Sequence, residues 1–226
     1  MTNILIADIS DIKDVDVFLQ GIQNQLSESR KNKILNYKAA EDKLRSAVCG
    51  LLLNYAYAQY CESVGKSICI PEEKQEKNKR PYIEEGFYYS VSHSGAWCMI
   101  IWSDKNCGAD IQKVVSLKAD IAGRFYNSEE KDYLLNKSED EYKKTLFDIW
   151  TLKESFVKYN GRGMSYGFDR FSVISLLSEG KYDDGEYSFF GGNITGIEGY
   201  SLGYVAEEKC EKIEMCKVGA DGSIRK

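Results

Sequence analysis

The chain begins with an apolar triplet, Ile4-Leu5-Ile6, which reads as a first strand. Residues 28–36 read as a short, basic helix. From Glu41 to Tyr60 the apolar residues Leu44, Ala47, Val48, Leu51, Leu52 and Tyr55 recur at spacings of three and four, predicting a long amphipathic helix with Arg45 beside its stripe. A polar loop follows over 72–79. Runs rich in β-formers at 87–92 and 97–102 predict a hairpin whose turn is Ser92-His93-Ser94-Gly95. Residues 107–115 read as a strand and 117–125 as a helix. Asn127 or Ser128 caps the next helix at Glu129. A second long helix is expected over 141–160, closed by Gly161 and Gly163. Glycine-bounded strands are expected at 171–176, 187–190 and 201–205. One long helix and several strands per half give an α+β class, with two halves, 1–105 and 106–226, joined near Lys105.

Composition narrows what such a chain can do. Its 226 residues can bury a real core, and 43% are hydrophobic. A net charge of -5 argues against a general nucleic-acid binder. Basic residues nevertheless crowd at Arg30, Lys31, Lys33 and Lys38, and at Lys74, Lys77, Lys79 and Arg80. These are solvated faces or a pocket for a polyanion. Seven cysteines without a Cys-x-x-Cys pair fit buried free thiols better than a disulfide framework or zinc site. No secretory leader and no stretch of roughly 20 apolar residues stands out, so a cytoplasmic chain free of membrane contact is expected. His93 is the single histidine, which rules out a multi-His metal site.

Three segments carry candidate chemistry. In Gly108-Ala-Asp110-Ile-Gln112 a strand puts Asp110 and Gln112 on one face, and an acid among apolar neighbours is costly unless paired or cation-bound. A solvated strand end is the plainer reading. In Trp150-Thr-Leu-Lys153-Glu154-Ser-Phe-Val-Lys158, the residues Trp150, Glu154 and Lys158 share a helix face. That pattern suits a surface Glu–Lys pair, or a metal carboxylate with a phosphate-binding lysine one turn on. Glu129 and Glu130 complement a helix dipole, or supply a catalytic base.

In this order, and together with Ser92-His93-Ser94-Gly95, Arg80-Pro81 and the trailing Gly161-Arg-Gly163, these segments resemble the 4′-phosphopantetheinyl transferases of the full-length, Sfp-like type. The likeness runs from about Ile4 to Val205. It implies two similar α+β halves related by a pseudo-two-fold axis. It also implies transfer of the phosphopantetheine arm of coenzyme A to a serine of an apo acyl or peptidyl carrier protein, with 3′,5′-ADP released. The resemblance implies magnesium, with manganese the alternative, held by Asp110, Gln112 and Glu154. It implies diphosphate contact and proton traffic for Lys158, phosphate contact for Lys153, and a general-base role for Glu130. Ser92 and His93, Arg45, Arg30, Lys33 and Arg80 are implied to bind the phosphates and adenosine end of coenzyme A. Two departures stand out. Gln112 sits where an acid is usual, which implies weaker or water-completed metal binding, and Lys79 replaces the glycine before Arg80-Pro81. A monomer is expected, with carrier docking near 125–126 and 159–168. A non-catalytic relative that only binds coenzyme A or a carrier is the alternative. Hydrolysis through His93 finds no Gly-x-Ser-x-Gly elbow to use.

Overall fold

The computed structural model describes residues 1–76, 80–116, 120–183, 185 and 188–226, without the side chains of Met164 and Ser165. The expectations that touch Lys77, Lys79, 117–119 and Tyr187 lie outside the described residues. The first half holds β1 (Thr2–Asp8), α1 (Val15–Ile22), α2 (Glu28–Leu35), α3 (Ala40–Val64), β2 (Tyr88–Ser94) and β3 (Trp97–Ser103). The second holds β4 (Cys107–Lys113), α4 (Ile121–Phe125), α5 (Ser128–Leu135), α6 (Glu139–Asn160), α7 (Ile174–Glu179), β5 (Lys181–Asp183), β6 (Ser188–Ile194) and β7 (Tyr200–Ala206). β8 (Cys210–Val218) and β9 (Ile224–Arg225) end the described chain. The protein is α+β, as the sequence led us to expect.

The two halves repeat one topology: a strand, a long helix, then a hairpin whose second strand lies between the first two. The order is β2-β3-β1 in one sheet and β6-β7-β4 in the other, with antiparallel pairing throughout. β8 then returns to run parallel to β1, so the first sheet reads β2-β3-β1-β8-β9. A cut at 105/106 therefore does not separate the two sheets, because the C-terminal strands belong to the first.

Alternation along the strands builds the layers. Leu5 and Ala7 of β1, with Cys98 and Ile100 of β3, pack under α3, where Leu44, Ala47, Val48, Leu51 and Leu52 are all buried. Each such large aliphatic side chain contributes roughly 1.5–3 kcal/mol of burial. The opposite faces, Ile4, Ile6, Met99 and Ile101, meet Cys107, Ala109, Ile111 and Leu202 of the second sheet. Helix α6 covers the far side of that sheet, with Ile149 and Leu152 against Val205 and Phe189. The layers thus run helix, sheet, sheet, helix.

Glycines let α6 settle onto its sheet. A Cβ at Gly108 of β4 would lie 2.1 Å from the Ser155 carbonyl oxygen, and one at Gly203 of β7 would lie 2.8 Å from the Thr151 carbonyl carbon. At the seam between sheets, Ser90, Ser92 and Ser94 of β2 accept hydrogen bonds from the amides of Ala109, Ile111 and Lys113 at 3.3, 3.3 and 2.9 Å. These hydroxyls satisfy the outward N–H groups of the edge strand β4 in place of a neighbouring strand.

Local expectations fail in two places. The hairpin turn is Gly95-Ala96, and Ser92–Ser94 belong to β2, because His93 and Ser94 still pair with Cys98 and Trp97. The strand expected at 171–176 gives way to α7, closed by Gly180 at φ 70°. Short apolar runs do not separate strand from helix by periodicity. Helix α1 and strands β5, β8 and β9 were not anticipated.

Candidate active site

Packing of α6 on β4 decides the geometry. With Gly108 beneath Ser155 and Tyr159, the exposed-side neighbours Glu154 and Lys158 come down beside Asp110. Asp110 is 3% exposed. Its Oδ1 accepts from Lys158 Nζ at 2.6 Å and from the Ser92 hydroxyl at 2.6 Å. Its Oδ2 accepts from the Gln112 amide at 3.0 Å. Lys158 also donates to the Ala109 carbonyl at 3.0 Å. The Glu154 carboxyl is pushed up to about 7, chiefly by burial, then by the Asp110 charge, with Lys158 opposing. Two acids from distant parts of the chain therefore stand close enough that the Asp110 charge acts on Glu154.

That proximity fits a cation site. Hard divalent ions take one or two carboxylates and leave room for water and phosphate oxygens. Among the described residues, no group of three His, Cys, Asp or Glu side chains converges. The Gln112 amide also reaches Asp110, and its oxygen and nitrogen exchange by a flip.

A cleft of about 400 Å³ opens from this point. Glu154 and Lys158 line it with Lys33, Glu73, Arg80 and Tyr89. A smaller lobe of about 190 Å³ continues past Lys33 and Lys158 to Arg30, Ser46, Cys49, Ser92 and His93. The lobe is cationic. Arg30 is 2% exposed, pairs with Glu73 at 2.5 Å, and leaves its Nε without a hydrogen-bond partner among the described residues. Burial and the Arg30 charge hold Lys33 below its ordinary range. His93 is lowered by burial, then by Arg45 and Lys158. Arg45, at the rim, is bridged to Asp42 at 2.7 Å and donates to the Gly95 carbonyl at 3.3 Å. Arg80 stands where the halves meet, donating to Asn106 at 2.8 Å and lying over the Tyr88 ring.

Three implied roles need correction. Glu130 does not reach the cleft. It is fully buried, closes the Asn127 cap of α5, accepts from the Val173 amide at 3.1 Å, and pairs with Lys153 at 2.7 Å. Lys153 is equally sealed, donating to the Phe171 carbonyl at 2.7 Å with its ammonium 4.2 Å from the Phe171 ring. A helix turns about 100° per residue, so consecutive Lys153 and Glu154 face different ways. Lys153 therefore meets no phosphate, and Glu130 is no base for a cleft reaction. Ser92 lines the lobe, but its hydroxyl donates to Asp110 and so orients that acid. The suggested docking aromatics also shift: Tyr126 and Phe168 are buried at 1% and 3%.

Glu73 and Tyr89 were missed. The Tyr89 hydroxyl donates to Glu73 at 2.8 Å, and Glu73 in turn holds Arg30. Glu73 lies in a polar loop whose composition marks no single acid. Only the demand of a buried arginine for a partner would have singled it out.

Comparison with known proteins adds independent observations. The family model described as the 4′-phosphopantetheinyl transferase superfamily matches residues 106–189. A 4′-phosphopantetheinyl transferase of Bacillus subtilis is 30% identical over 200 residues, covering 84% of this chain and 87% of that one. The 4′-phosphopantetheinyl transferase Sfp of Bacillus subtilis strain 168 is 28% identical over 148 residues, 66% of each chain. The 4′-phosphopantetheinyl transferase gsp of Aneurinibacillus migulanus is 25% identical over 152 residues, 67% of this chain and 63% of its own. In the last two the matched stretch spans about two thirds of the relative.

Proposed function

Because the chain belongs to the 4′-phosphopantetheinyl transferase family, we propose that it moves the phosphopantetheine arm of coenzyme A to a serine of an apo acyl or peptidyl carrier protein. The observation that carries this reading is the Asp110–Lys158–Glu154 group at the head of a cleft whose other end is cationic.

Asp110, Glu154 and the Gln112 carbonyl would hold a hard divalent cation, magnesium or manganese, which when bound neutralises and orients a diphosphate. The Lys158 ammonium, already 2.6 Å from Asp110, meets the diphosphate of coenzyme A. Arg30, Lys33, Arg45 and His93 hold the phosphate on its adenosine side, and Arg80 closes the cleft at the junction of the halves. The serine oxygen forms a bond to the β-phosphorus, the bond to the bridging oxygen breaks, and 3′,5′-ADP leaves. With Glu130 sealed away, the serine proton passes to water in the open cleft. Alignment and charge stabilisation supply most of the acceleration, as in phosphoryl transfer generally. Among the described residues no helix is long and apolar enough to cross a membrane, which suits action on a free carrier protein.

Incubation with apo carrier protein, coenzyme A and magnesium, read by intact mass, tests the proposal. One phosphopantetheinyl unit is expected on the carrier, and EDTA abolishes the gain. Glu154→Gln and Asp110→Asn should each slow turnover by about 10²-fold or more, on the scale of losing a charge-stabilising group. Undiminished turnover in both variants at saturating magnesium would remove the metal assignment.

A further inference from the structure

Arg30 is built into the wall of the cationic lobe with donors to spare. Gly50 of α3 makes room for its stem, since a Cβ there would lie 2.9 Å from Arg30 Cγ. Glu73 Oε2 stands 2.5 Å from Arg30 Nη2, yet neither Nη2 nor Nε makes an aligned hydrogen bond among the described residues. The contact between the two side chains is therefore Coulombic. The hydroxyl of Ser46, which is 1% exposed and lines the same lobe, also has no hydrogen-bond partner among the described residues. Buried donors without acceptors are costly, and the oxygens of an anion in the lobe would satisfy them.

Glu73 is held in place from several sides. Its Oε1 accepts from the Tyr89 hydroxyl of β2 at 2.8 Å. One residue earlier, the Glu72 carboxylate accepts from the Glu28 and Ser29 amides and the Ser29 hydroxyl at 2.8, 3.2 and 2.7 Å, which satisfies free N–H groups in the first turn of α2. One residue later, Lys74 exchanges backbone hydrogen bonds with Tyr82 at 2.8 and 2.9 Å. Glu73 opens onto the cleft, while Arg30 opens onto the lobe. An anion in the lobe therefore shares Arg30 with Glu73 and does not take its place.

We propose that Glu73 is a fixed counter-anion that weakens the lobe's hold on the phosphate of its ligand and so eases departure of the product nucleotide. A buried guanidinium needs a negative partner while the lobe is empty, and Glu73 supplies it. Once a phosphate enters, two anions draw on one cation. Repulsion of that kind across a guanidinium is worth about tenfold or more in affinity at a partly buried site. A carboxylate that only positioned Arg30 would show the opposite sign on removal, because the arginine would lose its place and the anion its partner. The nucleotide in this proposal rests on the transferase reading. The counter-charge itself needs only an anion in the lobe.

Calorimetric titration of the full chain with inorganic sulfate and with 3′,5′-ADP, parent against Glu73→Gln, tests the sign. Both ligands are expected to bind the variant about tenfold or more tightly. Glu73→Asp keeps the charge and should bind them as the parent does. Unchanged or weaker sulfate binding in Glu73→Gln would overturn the proposal, and so would a gain of the same size in Glu73→Asp. Removing the carboxylate also strands the Arg30 charge, so Glu73→Gln is less stable when empty. A variant that folds only with sulfate present shows the predicted coupling, and one that sulfate stabilises no more than the parent refutes it. Tighter sulfate binding in Glu73→Gln, with 3′,5′-ADP bound by neither protein, would uphold the counter-charge and sink the coenzyme A reading. Both ligands bound equally by the two proteins would do the reverse.

Discussion

His93 is the chain's one imidazole, so its titration can be followed without assignment. Burial first, then the charges of Arg45 and Lys158, lower it below the ordinary 6.5. Between the lowered native value and 6.5 the unfolded chain binds more protons than the folded one. Stability therefore falls as pH drops through that window, and this residue contributes no change above it. The imidazole carbon-bound proton should titrate in NMR with a midpoint below 6.5. Inorganic phosphate should raise that midpoint, because an anion in the lobe offsets the surrounding cations. A midpoint at or above 6.5 without phosphate would contradict the cationic description. Glu130 is a second residue whose meaning rests on its surroundings. A glutamate three residues after Asn127 looks alike in sequence whether it caps a helix or takes a proton. The structure makes it cap and buried ion pair at once. Glu130→Gln should therefore cost about 3–5 kcal/mol of stability by stranding the Lys153 charge. Denaturant unfolding would measure this, and a variant of undiminished stability but no activity would restore the catalytic reading.

At the scale of elements, the two long helices were the most legible features. Leu44 to Tyr55 kept a helical stripe through three turns, and the structure extends that helix to Ala40–Val64. Helix α6 runs Glu139–Asn160, with Ser138 and Glu141 forming its capping box and Gly161 in the left-handed region at φ 68°. The strand carrying Asp110 was also readable, because its acid stood against the apolar alternation. Contacts between elements were not. Nothing local announces that Glu73 holds Arg30, or that β8 will lie beside β1. The consequence of Gly108 is likewise visible only in three dimensions. Gly108→Ala puts a methyl into the α6 backbone, and overpacking of that kind costs about 1–3 kcal/mol. The variant should unfold at lower denaturant and lose transfer activity out of proportion, since α6 carries Glu154 and Lys158 past Asp110. Equal activity at saturating substrate would show that α6 need not lie so close.

For the whole molecule, the two sheets are joined by a buried apolar layer and by the hydroxyls of Ser90, Ser92 and Ser94, and among the described residues they share no strand ladder. The halves therefore keep a fixed register while their seam depends on side chains. Replacing the three serines by alanine should leave the amides of Ala109, Ile111 and Lys113 unpaired. Hydrogen exchange at those positions should accelerate before global stability is lost. Protection as strong as in the parent would show that another group satisfies them.

The return of β8 to the side of β1 also bears on how the chain is made. Thr2–Asp8 leave the ribosome some two hundred residues before Cys210–Val218, the strand that comes to lie beside them. Until then β1 has β3 on one flank and an open edge on the other, in a nascent chain crowded with apolar sequence. The first sheet is finished only after the second half has been synthesised, so the two halves mature together and not in order of translation.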